Sequence, residues 1–163
     1  MTKPTQKILR PLFWIGLSAI VCGLDQWSKA AMRSFLDHQP GRVFSIIKDH
    51  LDLVNRHNTG GAFSLLDGYP TLFLYLPVVL MALILYLLIR EKARPKGAVA
   101  AGGLSLILGG AAGNMVDRLR MGSVFDFIDA YVGSAHWPAF NMADSCIVLG
   151  VALFALSLIR KQS

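Results

Sequence analysis

The sequence predicts a membrane all-α fold: a four-transmembrane-helix bundle with a small sheet at the outer membrane surface. The 163-residue chain is 54% hydrophobic and 16% charged, whereas a soluble domain carries about 25% charged residues. Its mean hydropathy is +0.51. Four apolar segments are long enough to cross a bilayer as helices, and basic residues flank them asymmetrically. We expect one integral membrane domain over residues 1–163.

The apolar segments lie at about 12–31, 71–89, 98–116 and 141–159. Nineteen helical residues reach about 29 Å, nearly the thickness of a hydrocarbon core of about 30 Å. The first segment follows a basic lead as a signal peptide does, but no small-residue cleavage site follows it. We therefore expect a retained anchor. Pro77 predicts a kink in the second segment, which a membrane helix tolerates.

The distribution of basic residues predicts the orientation of the bundle. Nine of the sixteen lysines and arginines precede the first segment, separate the second from the third, or follow the fourth. These places share one side of a four-span protein, which the positive-inside rule makes cytoplasmic. Both termini are then cytoplasmic, and segments of about 33–70 and 117–138 lie outside. Since membrane topology accounts for most of the positive charge, we do not expect nucleic-acid binding.

The outer segments and the third span carry two further patterns. Residues 42–47 and 51–56 are strand-like, and they predict a small sheet at the outer surface. In the third span, Gly109 and Gly113 share a helix face, which favours close packing of a neighbouring helix. Glycine would also let a substrate backbone come near.

Ionisable and amide side chains gather at the predicted outer ends of the spans. An ionised carboxylate in hydrocarbon costs about 2.5–3.5 kcal/mol, so each such group needs a partner or a function. Asp25 and Lys29 are four residues apart on a helix, and this spacing predicts an ion pair. Asp117 is expected to pair with Arg118 or Arg120, although Arg118 is also a candidate for substrate contact.

Three acids, Asp126, Asp129 and Asp144, are left without an obvious partner. Asp126 and Asp129 would lie on opposite faces of a strand, so only one of them could turn toward Asp144, and spacing alone does not choose between them. Two carboxylates in a partly dry site cannot both ionise, so one keeps a proton. Such a pair can activate water against an amide. Neither a supported Ser or Cys nucleophile nor metal-ligand spacing is present in the sequence, so we expect no metal and no cofactor.

Five ordered blocks resemble those of lipoprotein signal peptidases (signal peptidase II), aspartic peptidases of the bacterial cytoplasmic membrane. The blocks are DQWSK at 25–29, NTGGAF at 58–63, GGAAGNMVDR at 109–118, VFDF at 124–127 and FNMAD at 140–144. The family usually has alanine where Gly61 stands and valine where Phe125 stands. Neither departure touches an ionisable group.

The resemblance implies an endopeptidase that cuts diacylglyceryl-modified prolipoproteins immediately before the lipid-bearing cysteine, with Asp126 and Asp144 as the catalytic pair. The side chains implied to line the site and hold substrate belong to Asn58, Gly110, Asn114, Arg118 and Asn141. Those implied to support the active fold belong to Asp25, Lys29 and Asp117. The segment of about 33–70 would supply a small periplasmic β-cradle and a mobile periplasmic element.

The expected partners are lipidated substrates and membrane lipids, and the expected enzyme is a monomer whose active site lies near the periplasmic face of the inner membrane. Two other function classes fit part of the sequence. A small proton-coupled transporter, or a transporter subunit, would also combine four spans with intramembrane acids, but it would place them at the midplane and often shows inverted repeats. A non-catalytic assembly protein would use the glycine-rich helix, but it leaves the outer acids unexplained.

Overall fold

The computed structural model describes residues 4–59, 72–91 and 97–159. Its helices are α1 (Pro4–Asp37), α2 (Leu72–Glu91), α3 (Ala98–Met121) and α4 (Met142–Ile159). Each contains most of one predicted apolar segment, and α1, α2 and α3 extend beyond theirs. Gly61, and most of the basic residues that predict the orientation, lie outside the described residues.

The helices are apolar on their outer surfaces. Side chains such as Val79 in α2 and Val148 in α4 are exposed, as expected where hydrocarbon replaces water as the surrounding medium. By length and composition, α3 and α4 could each cross a membrane, and Tyr75–Ile89 within α2 is a shorter apolar helix; this holds for the described part of the chain. Crossing by all four helices stays a prediction.

Helix α3 lies at the centre of the bundle and contacts the other three helices. Its glycines make this possible. A Cβ atom on Gly109 would lie 2.6 Å from the Ser18 carbonyl oxygen of α1, and one on Gly113 would overlap the Asp25 carboxylate. On the α4 side, a Cβ on Gly103 would lie 2.6 Å from the Gly150 carbonyl oxygen. The predicted close packing at the Gly109 and Gly113 face is therefore confirmed.

A four-stranded antiparallel sheet in the order β1-β2-β3-β4 lies beside the helices. The strands are β1 (Val43–Ile47), β2 (Leu51–Asn58), β3 (Val124–Val132) and β4 (Ala135–His136). The two strand-like pieces of the sequence are thus confirmed as β1 and β2. Strand β3 is the buried one: Phe125 and Phe127 pack with Leu36 at the end of α1. This packing fixes β3, and Asp126 with it, against the helix ends.

Candidate active site

Asp144 lies in the first turn of α4, where it forms a reciprocal cap with Asn141. The Asn141 backbone N–H donates to Asp144 Oδ2 at 3.1 Å, and the Asp144 backbone N–H donates to Asn141 Oδ1 at 3.0 Å. This is the pattern of a capping box, in which two otherwise unpaired donors are satisfied at once. The cap holds the Asp144 carboxylate at a helix N-terminus, where negative charge is stabilised.

Asp126 comes from β3, opposite Arg56 in the ladder with β2. Its side chain is 3% exposed. The Asn58 side-chain amide, at the end of β2, donates to Asp126 Oδ2 at 3.1 Å, and Asn141 Nδ2 donates to Asp126 Oδ1 at 2.7 Å. Asn141 therefore contacts both carboxylates, and it joins β3 to α4.

Asn114 brings the third element, α3, into the same network. Its Nδ2 donates to Asp144 Oδ1 at 2.8 Å. Its Oδ1 accepts from Asn141 Nδ2 at 3.1 Å and from Lys29 Nζ at 2.9 Å. The two carboxylates and the amides of Asn58, Asn114 and Asn141 thus form one continuous hydrogen-bonded cluster, which we call the dyad cluster.

Lys29 is the centre of a second cluster, the charged triad Asp25, Lys29 and Asp117. Lys29 Nζ lies 2.9 Å from Asp25 Oδ2, 3.0 Å from Asp117 Oδ2 and 2.9 Å from Asn114 Oδ1. Its three N–H donors therefore have three acceptors. All three triad side chains are buried. The predicted Asp25–Lys29 pair is confirmed.

The expected pairing of Asp117 with Arg118 or Arg120 is wrong. Besides Lys29, the cation near Asp117 is Arg33, at 3.9 Å. Successive helical residues point about 100° apart, so Arg118 diverges from Asp117, and Arg120 is exposed. Spacing within α3 gives no sign that the partner comes from α1.

Gln26 is a residue of this region that the sequence analysis did not single out. Its Nε2 donates to Asp117 Oδ1 and to the Gly113 carbonyl oxygen, both at 3.0 Å. The available signal was its place inside the DQWSK block beside Asp25. Asp25 also links the triad to α4, the helix that carries Asp144, because Asp25 Oδ1 accepts the Ala143 backbone N–H at 3.0 Å.

Asp129 has partners that the sequence did not reveal. Its carboxylate lies 3.1 Å from Arg56 of β2 and 3.1 Å from His136 Nδ1 of β4. Arg56 is separated from it by 73 positions, so no local pattern indicates the pair. Of the two candidate neighbours of Asp144, Asp126 is the one joined to it through the Asn141 side chain.

The two other implied substrate-binding residues lie in α3. Arg118 is half-buried, and among the described residues it makes neither a hydrogen bond nor an ion pair, although the charges of Asp144 and Asp126 act on it. Gly110 is buried, and a Cβ there would lie 2.9 Å from the Ile147 side chain of α4. Its observed contact is helix packing, and substrate binding by Gly110 stays a prediction.

The electrostatics of Asp126 are unusual for an aspartate. Burial raises the pKa of its carboxyl to about 6, and the nearby charge of Asp144 adds to this rise. Hydrogen bonds donated by Asn58 and Asn141 stabilise the ionised form and oppose the rise. A carboxyl with such a pKa can hold a proton at mildly acidic pH and release it near neutrality.

Two cavities open on the two aspartates. One of about 380 Å³ is lined by Asp126, Asn58, Arg56 and neighbouring polar residues. The other, of about 510 Å³, runs from Asp144 along α4 and is lined mainly by apolar side chains such as Trp137, Phe140 and Val148. The cavity beside Asp126 thus has a mixed lining, which includes Pro138 and Ala139, whereas the cavity beside Asp144 is almost wholly apolar. Within the described residues, no group of three His, Cys, Asp or Glu side chains is arranged to hold a metal.

Comparison with known proteins identifies similar chains over nearly the whole length. A family model described as Signal peptidase (SPase) II matches residues 17–160. A lipoprotein signal peptidase of Anaplasma phagocytophilum is 40% identical over 148 residues, 88% of this chain and 90% of that protein. One of Paraburkholderia phymatum is 39% identical over 165 residues, 99% of this chain and 95% of that protein. A solved structure described as a bacterial membrane enzyme has a TM-score of 0.77 at 28% identity, covering 93% of this chain and 90% of that one.

Proposed function

The chain belongs to the signal peptidase II family, and from this premise we propose that Asp126 and Asp144 catalyse the release of signal peptides from diacylglyceryl prolipoproteins. The family is one of membrane peptidases that process lipoproteins, which decides against the transporter and the assembly protein. The proposed cut falls immediately before the lipidated cysteine. The single observation that carries the catalytic assignment is the Asn141 side chain and backbone, which contact both carboxylates.

The proposed reaction is direct hydrolysis with no covalent intermediate. The ionised carboxylate takes a proton from water while the water oxygen bonds to the scissile carbonyl carbon, and the protonated carboxyl donates its proton to the carbonyl oxygen. In the second step the C–N bond breaks. The leaving nitrogen receives the proton taken from water, and the first donor recovers a proton from a hydroxyl of the tetrahedral intermediate. The products are a carboxylic acid and an amine, and the dyad returns to its starting state.

The two cavities support a placement for the substrate. The cavity beside Asp126 suits an extended peptide backbone, because several of the side chains that line it can form hydrogen bonds. The apolar cavity along α4 suits hydrocarbon. A substrate whose lipid lies against α4 and whose peptide lies against β2 would bring its scissile bond to the dyad cluster between them.

The other residues that the family resemblance implies receive supporting roles in this proposal. Asn114, Asn141 and Arg118 would hold carbonyl groups of the substrate peptide. Asp25, Lys29 and Asp117 would keep α1, α3 and the start of α4 together, as their buried contacts suggest. The basic residues near the chain ends favour cytoplasmic termini and an active site near the periplasmic face.

The proposal is tested with the purified full-length protein in detergent. A diacylglyceryl prolipoprotein would be incubated with it, and the product masses would show where the chain is cut. We expect a product that begins at the lipidated cysteine, and we expect EDTA to leave the rate unchanged. The matched control is the same prolipoprotein without its lipid, which should be cut far more slowly because hydrocarbon no longer anchors it beside Asp144. Equal cleavage of both substrates would contradict the proposed role of the apolar cavity.

A further inference from the structure

The two aspartates of the dyad cluster are held by different kinds of donor. The difference begins with Lys29, whose ammonium group has three donors and no acceptor. The Asn114 atom 2.9 Å from Lys29 Nζ must therefore be its oxygen. The two ends of an amide are usually hard to tell apart, but here Lys29 decides which is which. The Asn114 NH₂ group consequently faces Asp144 Oδ1, at 2.8 Å.

The second donor to Asp144 is a main-chain N–H, so its role in the hydrogen bond is also fixed. Asp144 Oδ2 accepts the backbone N–H of Asn141 at 3.1 Å, and a main-chain N–H cannot change into an acceptor. Both oxygens of Asp144 thus face groups that can only donate a hydrogen bond in this arrangement. Its position in the first turn of α4 adds the favourable field of the helix N-terminus.

Asp126 receives weaker support for a negative charge. Among the described residues, its oxygens accept hydrogen bonds only from the side-chain amides of Asn58 and Asn141. The Asn141 amide is fixed, since its oxygen accepts the Asp144 backbone N–H. Within the described part of the chain, and unlike Asp144, Asp126 accepts a hydrogen bond neither from a main-chain N–H nor from the amide of Asn114, which contacts the Lys29 ammonium group. It is also 3% exposed, and burial favours the neutral form of a carboxyl.

We propose that Lys29 is a positioning residue that acts through Asn114 to hold Asp144 as the ionised, water-activating member of the dyad, which leaves Asp126 to carry the proton. This assignment rests on the proposed function and deepens it. Asp144 is then the group that takes a proton from water. Asp126 is the group that donates its proton to the carbonyl oxygen and recovers one when the C–N bond breaks.

The charges around the dyad agree with this division. Lys29 and Arg33 balance Asp25 and Asp117 in number. The charge of Lys29 also favours the ionised form of Asp126, but burial of Asp126 outweighs this effect. Arg118 of α3 interacts more strongly with Asp144 than with Asp126, so its positive charge favours a negative charge on Asp144. The two aspartates differ in their contact with Asn114. The Asn114 side chain, which accepts a hydrogen bond from Lys29, donates to Asp144 and, among the described residues, not to Asp126.

The test is infrared spectroscopy of the full-length enzyme without substrate, at about pH 5, where a carboxyl with a pKa of about 6 is mostly protonated. A protonated carboxyl gives an absorption band that a carboxylate lacks. We expect Asp126→Asn to lose one such band and Asp144→Asn to keep it. Loss in Asp144→Asn alone would reverse the assignment, and equal partial loss in both variants would mean a shared proton and also overturn it.

The part played by Lys29 is tested with Asn114→Asp. This change keeps the contact with Lys29 but replaces the donor that faces Asp144 by a second oxygen. Two carboxylates would then meet, so we expect one additional protonated carboxyl at about pH 5 and a displaced pH profile of kcat/KM. Asn55→Asp is the matched control, because it adds an aspartate on β2 outside the dyad cluster, and it should add no protonated band.

An unchanged infrared spectrum in Asn114→Asp would show that Lys29 and Asn114 do not determine which aspartate is ionised.

Failure of this inference is distinguishable from failure of the proposed function. If Asp126→Asn and Asp144→Asn are both inactive but the bands are reversed, the dyad stands and only the division of roles is wrong. If either variant cleaves normally, the proposed function itself fails.

Discussion

The charged triad and the dyad cluster lie side by side and contain two aspartates each. They differ in the groups that contact these aspartates. In the triad, Asp25 and Asp117 share the ammonium group of Lys29, whose donors are all used. In the dyad cluster, Asp126 and Asp144 receive hydrogen bonds from neutral amides and one backbone N–H. The triad acids are ion-paired with Lys29, and Asp117 also lies near Arg33, whereas the hydrogen bonds to the dyad acids come from groups without charge.

The difference explains how similar residues come to have different functions. A buried carboxylate beside a cation keeps its charge and contributes to the fold only while the cation remains. Asp126 is buried and, among the described residues, has no ion pair; burial raises the pKa of its carboxyl to about 6, and the charge of the half-buried Asp144 adds to the rise. Such a group can exchange protons during a reaction. The first arrangement is suited to holding helices together, and the second to acid–base chemistry.

Removing the cation should break the triad, with the largest effect on stability. Lys29→Met leaves Asp25 and Asp117 buried without their common partner. Breaking a buried ion pair in this way costs about 3–5 kcal/mol, so we expect a large drop in the thermal unfolding temperature in detergent. Lys48→Met is the control, because Lys48 is exposed, and it should unfold as the wild type does. Equal stability of the two variants would show that the triad does not stabilise the fold.

A methyl group between α3 and α1 should strain the same region without changing any charge. A Cβ on Gly113 would overlap the Asp25 carboxylate, and overpacking of this kind costs about 1–3 kcal/mol. Gly23→Ala in α1 is the matched control, since a Cβ there meets open space. Urea or thermal unfolding should therefore show that Gly113→Ala is much less stable than Gly23→Ala. A Gly113→Ala protein as stable as the control would indicate that α1 can move away at no cost.

The pH dependence of cleavage tests whether Asp126 acts as the acid or as the base of the dyad. If the protonated form of Asp126 is required, kcat/KM of the free enzyme is greatest below the Asp126 pKa of about 6 and declines as the pH rises through it. The decline should approach tenfold per pH unit well above that point. Initial rates at low substrate concentration measure it. An increase in kcat/KM through pH 6 would instead make Asp126 the base.

Neutralising Asp129 should have the smallest effect on cleavage. Its contacts are Arg56 and His136, and the hydrogen bonds from Asn141 and Asn114 go to Asp126 and Asp144 instead. We expect the turnover number of Asp129→Asn to stay close to that of the wild type, with a modest change in stability from the exposed Arg56. Loss of turnover equal to that of a dyad variant would show that Asp129, and not Asp126, is the partner of Asp144.

The sequence predicted those parts of the molecule that depend on local patterns. Apolar length predicted the four helices, alternation predicted β1 and β2, and the four-residue spacing predicted the Asp25–Lys29 pair. The Asn141 and Asp144 spacing also fits a capping box, a signal that was available but not used. Family resemblance supplied the choice of Asp126, which alternation on a strand had left open.

What the sequence did not predict depends on contacts between distant segments. Lys29 reaches Asp117 and Asn114 only because glycines let α3 approach α1 closely, and Asp129 finds Arg56 only after β2 and β3 pair. The Asp117 partner was predicted from neighbouring arginines and was wrong for this reason. The direction of the Asn114 amide is likewise set by Lys29 across two helices, and no spacing within α3 indicates it.

The central claim is that Asp126 and Asp144 carry out the chemistry, whereas the buried acids Asp25, Asp117 and Asp129 do not. It is tested most directly by the turnover numbers of Asp126→Asn, Asp144→Asn and Asp129→Asn on one lipidated prolipoprotein, each corrected for its folded fraction. We predict losses of at least about 10³-fold for the first two, since each removes the group that moves a proton, and near-normal turnover for Asp129→Asn. Near-normal turnover of Asp126→Asn or of Asp144→Asn would contradict the claim.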